Sequence, residues 1–449
     1  MIIKIYEPKQ AQETILKRIP TGDLPAPQTV LEGIKRIMGE PLSPSEAVAR
    51  ILADVRARGD EALKMWSERL DGFRPDNFRV SREEILQALN AVPDELFQAM
   101  ETAALRIEEF HCRQPLNPWL TQEMGGSLGQ LIRPMRRVGV YVPGGSAPLP
   151  STILMSAIPA HVAGVKEVVI VTPPQRETGR VSPVTLAAAA LAEVEEVYVL
   201  GGAQAIAALA FGTESIPAVD KIVGPGNLFV TLAKQQVFGT VGIDGLAGPT
   251  ETLIVADDTA RPDWVAADLL AQAEHDPLAA AILLTPSRTL AEAVQQAVEK
   301  RVQELTTMPG GRAQILQASL PGRSGIVVTA SLEEAIDLSN AYGPEHLNLV
   351  TADPCQWVER VTSAGGVFVG EHSYEVLGDY AAGPSHVMPT GGTAHFSSPL
   401  NIWDFVRTIS LVALDPETAR RIGKDAAQIA RSEGLISHAH AAEIRQEPE

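Results

Sequence analysis

Hydrophobic and polar positions change their rhythm near residue 138. Before that point the pattern is helical. Val48, Ile51, Leu52 and Val55 follow at i, i+3, i+4 and i+7, the spacing of one buried helix face. Ser43-Pro44-Ser45-Glu46 introduces them as a capping box with proline at the first helical position. Ser81 and Glu84 repeat the box ahead of Ile85, Leu86 and Leu89. A proline-rich passage over 113–119 predicts the loop that closes this helical region.

Beyond it, short apolar runs alternate with helical stretches. Residues 138–142, 168–171, 197–200 and 221–223 read as strands, separated by a helix starting near Ser151 and Ala-rich helices over 185–191 and 204–210. A second series follows at 252–256, 280–285, 325–329, 347–351 and 367–370, with Ser331 and Glu334 opening one intervening helix. Strands alternating with helices of this length imply parallel β-α-β units. The expected class is therefore α/β, with two Rossmann-like doubly wound domains, a cleft between them and a helical N-terminal region. No strand is expected past Ser397; residues 416–445 predict a pair of charge-rich helices forming a C-terminal tail. That tail has little core of its own and needs a surface to pack on, in its own body or in a second subunit.

Composition narrows the class of function. A chain of 449 residues is too long for one simple core. With 45% hydrophobic and 20% charged residues it is an ordinary globular composition, which argues against disorder. A net charge of -18 makes a non-specific nucleic-acid surface or an anionic membrane a poor partner. The first 18 residues carry Lys4, Glu7, Lys9 and Glu13, which no signal peptide core tolerates, and no stretch is apolar enough to span a bilayer. Two cysteines, Cys112 and Cys355, cannot make a disulfide framework, so a reducing cytoplasm is expected and both are read as inert core thiols.

Three glycine-rich turns sit where strands should end: Tyr141-Val142-Pro143-Gly144-Gly145-Ser146, Gly201-Gly202-Ala203-Gln204 and Gly224-Pro225-Gly226-Asn227. None matches the G-x-G-x-x-G fingerprint, and each alone is most simply a tight turn. Three at consecutive strand ends point to a nucleotide site, because glycine lets backbone N–H groups approach phosphate. A dispersed set of ionisable residues follows: Gln272 and His275 at one predicted helix end, then Glu345-His346, Asp379-Tyr380, His386 and His438. Histidine, carboxylate and carbonyl oxygen are all zinc donors, but no pair here has diagnostic spacing. Glu345-His346 falls on a loop at a strand start, either as a polar turn with an exposed acid or as a general base beside a second proton acceptor.

Taken together, these segments resemble the histidinol dehydrogenase family from about Val138 to Glu433-Gly434-Leu435. The ordered matches are Val140-Tyr141-Val142-Pro143-Gly144-Gly145, Gly224-Pro225-Gly226-Asn227, Ile243-Asp244 with Ala247-Gly248-Pro249, and Gln272-Ala273-Glu274-His275-Asp276. Gly343-Pro344-Glu345-His346-Leu347, Gly378-Asp379-Tyr380 with Gly383-Pro384, and Ser385-His386-Val387-Met388-Pro389-Thr390 before Gly391-Gly392-Thr393 complete the series. The resemblance implies a four-electron oxidation of L-histidinol through the aldehyde to L-histidine, closing histidine biosynthesis, with NAD reduced at each step. It implies one Zn2+ per subunit on Gln272, His275, Asp379 and His438, with His346 as general base and Glu345 activating water. Tyr141, Gln204 and Asn227 match dinucleotide-contacting positions. Thr250, His386 and Glu433 match substrate-contacting positions, and Gln272, His275, His346, Asp379 and His438 also face the substrate. The family forms a domain-swapped homodimer whose tails complete the partner's active site.

The resemblance implies an organisation of 1–30 as an N-terminal segment, 31–140 with 251–396 as the domain carrying metal and catalytic residues, 141–250 as the dinucleotide-binding domain and 397–449 as the swapped tail. This sequence departs from the family in places. Thr250 stands where serine is commoner, Ser437 replaces an alanine, His395 takes a place often held by arginine, and His440 offers a rival to His438 as ligand. Two other readings compete: a related NAD-dependent dehydrogenase of another polar alcohol, such as a sulfonated propanediol, and a zinc hydrolase or metal-binding protein without redox activity. NAD binding separates the last from the others.

Overall fold

The computed structural model describes residues 3–18, 27–144, 148–308 and 310–446. The Gly145-Ser146 part of the first glycine-rich turn lies outside the described residues. The chain divides into two compact units, one of residues 1–113 with 136–405 and one of residues 114–135 with 406–449.

The first unit holds two wholly parallel sheets. One orders its strands Glu196–Val199, Glu167–Thr172, Arg137–Tyr141, Lys221–Val223 and Gly242–Ile243. The other orders Ile5–Tyr6, Gly325–Val328, Ala280–Thr285, Glu251–Ala256, His346–Val350 and Gly366–Val369. The first sheet has its first strand in the chain, Arg137–Tyr141, at the centre, and the second has Glu251–Ala256 there, the first of its strands after the edge strand Ile5–Tyr6; in each the order reverses beside that strand, the switch point of a doubly wound sheet. Helices cover these strands, so they read as unbroken apolar runs; every residue of Glu251–Ala256 and Ala280–Thr285 is buried. The two-residue edge strand Ile5–Tyr6 pairs with Ile326 and Val327 and was too short to show a pattern of its own.

The N-terminal helices form as their caps direct. Ser43 accepts from Glu46 N–H while Glu46 returns to the Ser43 N–H, closing the box ahead of helix Pro44–Arg58. Its apolar face, with Leu63 and Trp66 of helix Asp60–Asp71, joins one core with Val169, Tyr198, Ile206 and Ile222 of the first sheet and its helices.

The second unit corrects one expectation. Strands do not stop at Ser397: Val406–Leu414 pairs antiparallel along its whole length with Gly126–Pro134, which also pairs with Trp119–Thr121. Helices Pro416–Ser432 and Ile436–Glu443 follow, packed through Ala427, Ala430 and Ala439. Arg431 clamps them by pairing with Glu443 at 2.8 Å. Among the described residues, no helix is long and apolar enough to cross a membrane.

Candidate active site

The carboxyl ends of the first sheet carry the glycine turns. At its switch point Gly224 has φ +106°, and a Cβ there would stand 2.2 Å from the Tyr141 carbonyl, so only glycine lets these two strand ends lie side by side. Tyr141 is buried and its hydroxyl accepts from the Gly202 N–H at 3.2 Å. Burial pushes the phenol up to about 12, keeping it neutral. Gln204 is fully buried, donates Nε2 to Asp71 at 3.3 Å and leaves Oε1 without a partner. Asn227 caps helix Leu228–Val237, its side-chain oxygen accepting from Phe229 and Val230 N–H groups. Lys234 is buried and paired with Asp244, and its Nζ also donates to the Gly224 carbonyl at 2.9 Å. A cavity of about 210 Å³ opens here between Gly224, Asp244, Ala247, Met388 and Thr390.

The chain then leaves the last strand of the first sheet and, through residues 244–250, enters the central strand of the second. Connectivity thus carries the carboxyl ends of one sheet to the amino ends of the other. At those amino ends stand Thr250, Glu251, Glu345 and His346. Gly343 ends helix Leu332–Tyr342 in the left-handed region, at φ 58°, and Pro344 follows, which turns the chain sharply into strand His346–Val350. Glu345 is buried at 7% exposure, so the exposed-acid reading of this turn does not hold. Its Oε2 accepts from the Thr250 hydroxyl at 2.7 Å and from the Glu251 N–H at 2.9 Å. Burial lifts its carboxyl up to about 7, against the lowering effect of His346 and these two donors.

His346 is 3% exposed. Its Nδ1 lies 3.1 Å from the Glu251 carbonyl, which requires the proton on Nδ1 and leaves Nε2 as the basic nitrogen. Nε2 has no hydrogen-bond partner and lies 3.4 Å from Asp379 Oδ1, at ion-pair range without hydrogen-bond alignment. Burial opposes a charge on this ring, yet Glu375, Glu345 and Asp379 together outweigh it and hold its pKa above the usual imidazole value. Asp379 sits on the short helix Glu375–Tyr380; despite burial, His346, His386 and His275 keep its carboxyl below the usual range. Gly378 lets this helix approach: a Cβ would meet Phe368 at 2.5 Å, and the Phe368 ring walls His346 at 5.9 Å between centroids.

Gln272 closes helix Pro262–Ala273 and is buried. Its Nε2 donates to Thr250 Oγ1 at 2.6 Å. His275 lies just past the helix with its N–H on the Gln272 carbonyl; desolvation by the neighbouring site residues lowers its pKa while Asp379 raises it. His386 Nδ1 donates to the Asp379 carbonyl at 2.7 Å, and burial holds this ring below the usual imidazole value. The structure thus brings Thr250, Gln272, His275, Glu345, His346, Asp379 and His386 together. Glu433 and His438 belong to the second unit, where both are exposed, as is His440. Cys112 and Cys355 are exposed free thiols, not core residues.

Gln272, His275 and Asp379 offer an amide oxygen, an imidazole and a carboxylate, a donor set that suits zinc and leaves a tetrahedral site one protein ligand short. Among the described residues, no group of three or more His, Cys, Asp or Glu side chains is placed to hold a metal. Sequence reasoning missed Glu375, wholly buried with one oxygen unpartnered and pushed up to about 7 by burial. Its only signal was its place four residues before Asp379, one turn away on the same helix face.

The histidinol dehydrogenase family model matches residues 39–446. A histidinol dehydrogenase from Deinococcus radiodurans is 53% identical over 94% of this chain and 96% of its own length. One from Thermus thermophilus is 50% identical over 89% of this chain and 94% of its own. The crystal structure of histidinol dehydrogenase from Elizabethkingia anophelis superposes with a TM-score of 0.88 at 37% identity, covering 99% of this chain and 98% of that one.

Proposed function

The chain belongs to the histidinol dehydrogenase family, and from that premise we propose how its own residues divide the work of oxidising L-histidinol to L-histidine. It is an NAD-dependent oxidoreductase of a family that uses NAD and Zn2+. A dehydrogenase of another polar alcohol is not favoured, since the relatives at about 50% identity are named for histidinol. The observation that carries the reading is the buried Glu345–His346 pair, with an acid near neutral pKa and an imidazole whose Nε2 is left unpartnered.

In the first oxidation the neutral form of His346, which the surrounding carboxylates disfavour, accepts the alcohol proton at Nε2, because Nδ1 is committed to the Glu251 carbonyl. In the second, Glu345 accepts a proton from the water that adds to the aldehyde carbon; its raised pKa matches that task near pH 7. Thr250 and the Glu251 N–H hold that carboxylate in place. Tyr141, Gln204 and Asn227 line the dinucleotide end, and Thr250, His386 and Glu433 the substrate. When bound, zinc on Gln272, His275, Asp379 and His438 of the partner subunit supplies a fixed positive charge that anchors the substrate's nitrogen donors and offsets the carboxylates around His346, while NAD supplies the hydride acceptor.

We place the fourth ligand, and Glu433, in a second copy of the chain. Support comes from the second unit's exposed apolar side chains: Leu120 at 61%, Val412 at 66%, Ile429 at 60% and Ile436 at 59%. Exposed free thiols fit a reducing cytoplasm. The roles separate by half-reaction. His346→Ala should abolish oxidation of histidinol, while Glu345→Gln should still make aldehyde and stall before histidine. Equal loss of both steps in Glu345→Gln would remove its assignment to the second step. For the shared site, mixed dimers of His438→Ala and His346→Ala subunits should regain activity that neither parent has; persistent inactivity would contradict it.

A further inference from the structure

Arg18 stands behind the Glu345–His346 pair, and none of the roles assigned above falls to it. Its guanidinium lies flat over the Tyr342 ring, 3.4 Å from the centroid. Nε donates to the Tyr342 carbonyl at 2.7 Å and Nη2 to the Gly343 carbonyl at 3.0 Å. Both carbonyls lie at the end of helix Leu332–Tyr342, where the last turn leaves its acceptors unmatched. They belong to the turn that delivers Glu345 and His346.

The third nitrogen, Nη1, pairs with the carboxylate of Glu251. Glu251 is fully buried, and among the described residues its other cation is Arg323, at 3.4 Å. Its main chain is what holds the pair: the N–H bonds Glu345 Oε2, and the carbonyl takes His346 Nδ1. One guanidinium therefore grips the strand that aligns both side chains and the turn that presents them. A Cβ on Gly392 would come within 3.2 Å of Arg18 Nε, so the planar group is packed from that side as well.

We propose that Arg18 is a positioning residue for Glu345 and His346, acting through Glu251 and the Tyr342–Gly343 carbonyls; this rests on the catalytic reading of that pair. Arginine suits the task because one rigid fork meets a carboxylate and two carbonyls at once, while lysine has a single point charge. Arg18 touches no position assigned to substrate, cofactor or metal. Its loss should slow turnover and spare binding. A buried carboxylate deprived of its partner relaxes toward other donors, and small displacements of a reacting group are costly.

The test is steady-state kinetics of zinc-loaded, full-length Arg18→Ala, Arg18→Lys and Glu251→Gln proteins, with zinc content and thermal midpoint measured on each. Arg18→Ala should lose about 10- to 100-fold in kcat with KM for histidinol within about threefold and zinc content unchanged. Arg18→Lys should recover part of the loss. Guanidinium ion at tens of millimolar should restore activity to Arg18→Ala, with sodium chloride of equal ionic strength giving none. Should Arg18→Ala fail to fold, Glu251→Gln, close in shape and uncharged, carries the same kcat prediction. Wild-type kcat, or a loss shared by KM and untouched by guanidinium, overturns the proposal. Glu345→Gln and His346→Ala are assayed alongside: if they stay fully active the catalytic reading itself fails, whereas their inactivity beside a fully active Arg18→Ala removes only the positioning role.

Discussion

Replacing Thr250 by valine deletes a hydroxyl and keeps the shape. That hydroxyl donates to Glu345 Oε2 at 2.7 Å and accepts from Gln272 Nε2 at 2.6 Å, so one atom joins the acid to the amide we assign to the metal. A hydrogen bond to a charged group contributes about 1.5–3 kcal/mol and a neutral one about 1 kcal/mol, so losing both costs about 2–4 kcal/mol. Expressed in the transition state, that is a fall of about 30- to 1000-fold in kcat/KM. The hydroxyl also lowers the Glu345 pKa, which burial has already lifted to about 7. Its removal should push the pKa higher, and because the carboxylate is the active form, the rising limb of the pH–rate profile should move to higher pH. The assay is oxidation of L-histidinaldehyde across pH, isolating the second step. Thr250→Ser keeps the hydroxyl and should stay within a few-fold of the parent. A Thr250→Val enzyme with parental rate and an unmoved pH limb would refute this chain of reasoning.

Two further changes probe the frame around the site. Gly224→Ala forces a side chain onto a left-handed residue and against the Tyr141 carbonyl, so a loss of more than about 2 kcal/mol in urea unfolding is expected, together with weaker NAD binding; unchanged stability would mean the strand ends have room to part. Asp268 on helix Pro262–Ala273 is lifted to about 6 by burial. The folded state therefore favours its neutral form, and stability falls as pH rises from about 4 to about 6, by at most about 3 kcal/mol. Asp268→Asn should melt higher than the parent at about pH 7.5 and equally at about pH 4; a difference independent of pH would contradict the assignment.

What the sequence made legible follows from what is local. Parallel strands buried on both faces must be short apolar runs, and Lys221–Val223 and Ala280–Thr285 were visible as such to the residue. Strand Gly126–Pro134 was not, because Gly126, Gly129 and Pro134 break its pattern and its partner, Val406–Leu414, lies far along the chain. With most of Val406–Leu414 exposed, no alternation of burial marks it either. Within the site, motif residues were readable because a resemblance supplied their order. Arg18 and Glu251 were not, since their contacts join distant segments that no spacing records, and Glu375 left only its place one turn before Asp379. The dipeptide Glu345-His346 left an exposed acid and a buried base equally open, because the partners of Glu345, Thr250 and the Glu251 N–H, lie nearly a hundred residues away.

The most direct measurement is the yield of NADH from L-histidinol by the full-length protein, before chelation, after it, and after zinc is restored. The account predicts two NADH per histidinol, with L-histidine as product, lost on chelation and regained with zinc. A protein that binds NAD yet forms none from histidinol, or stops at one NADH with free aldehyde, would contradict it.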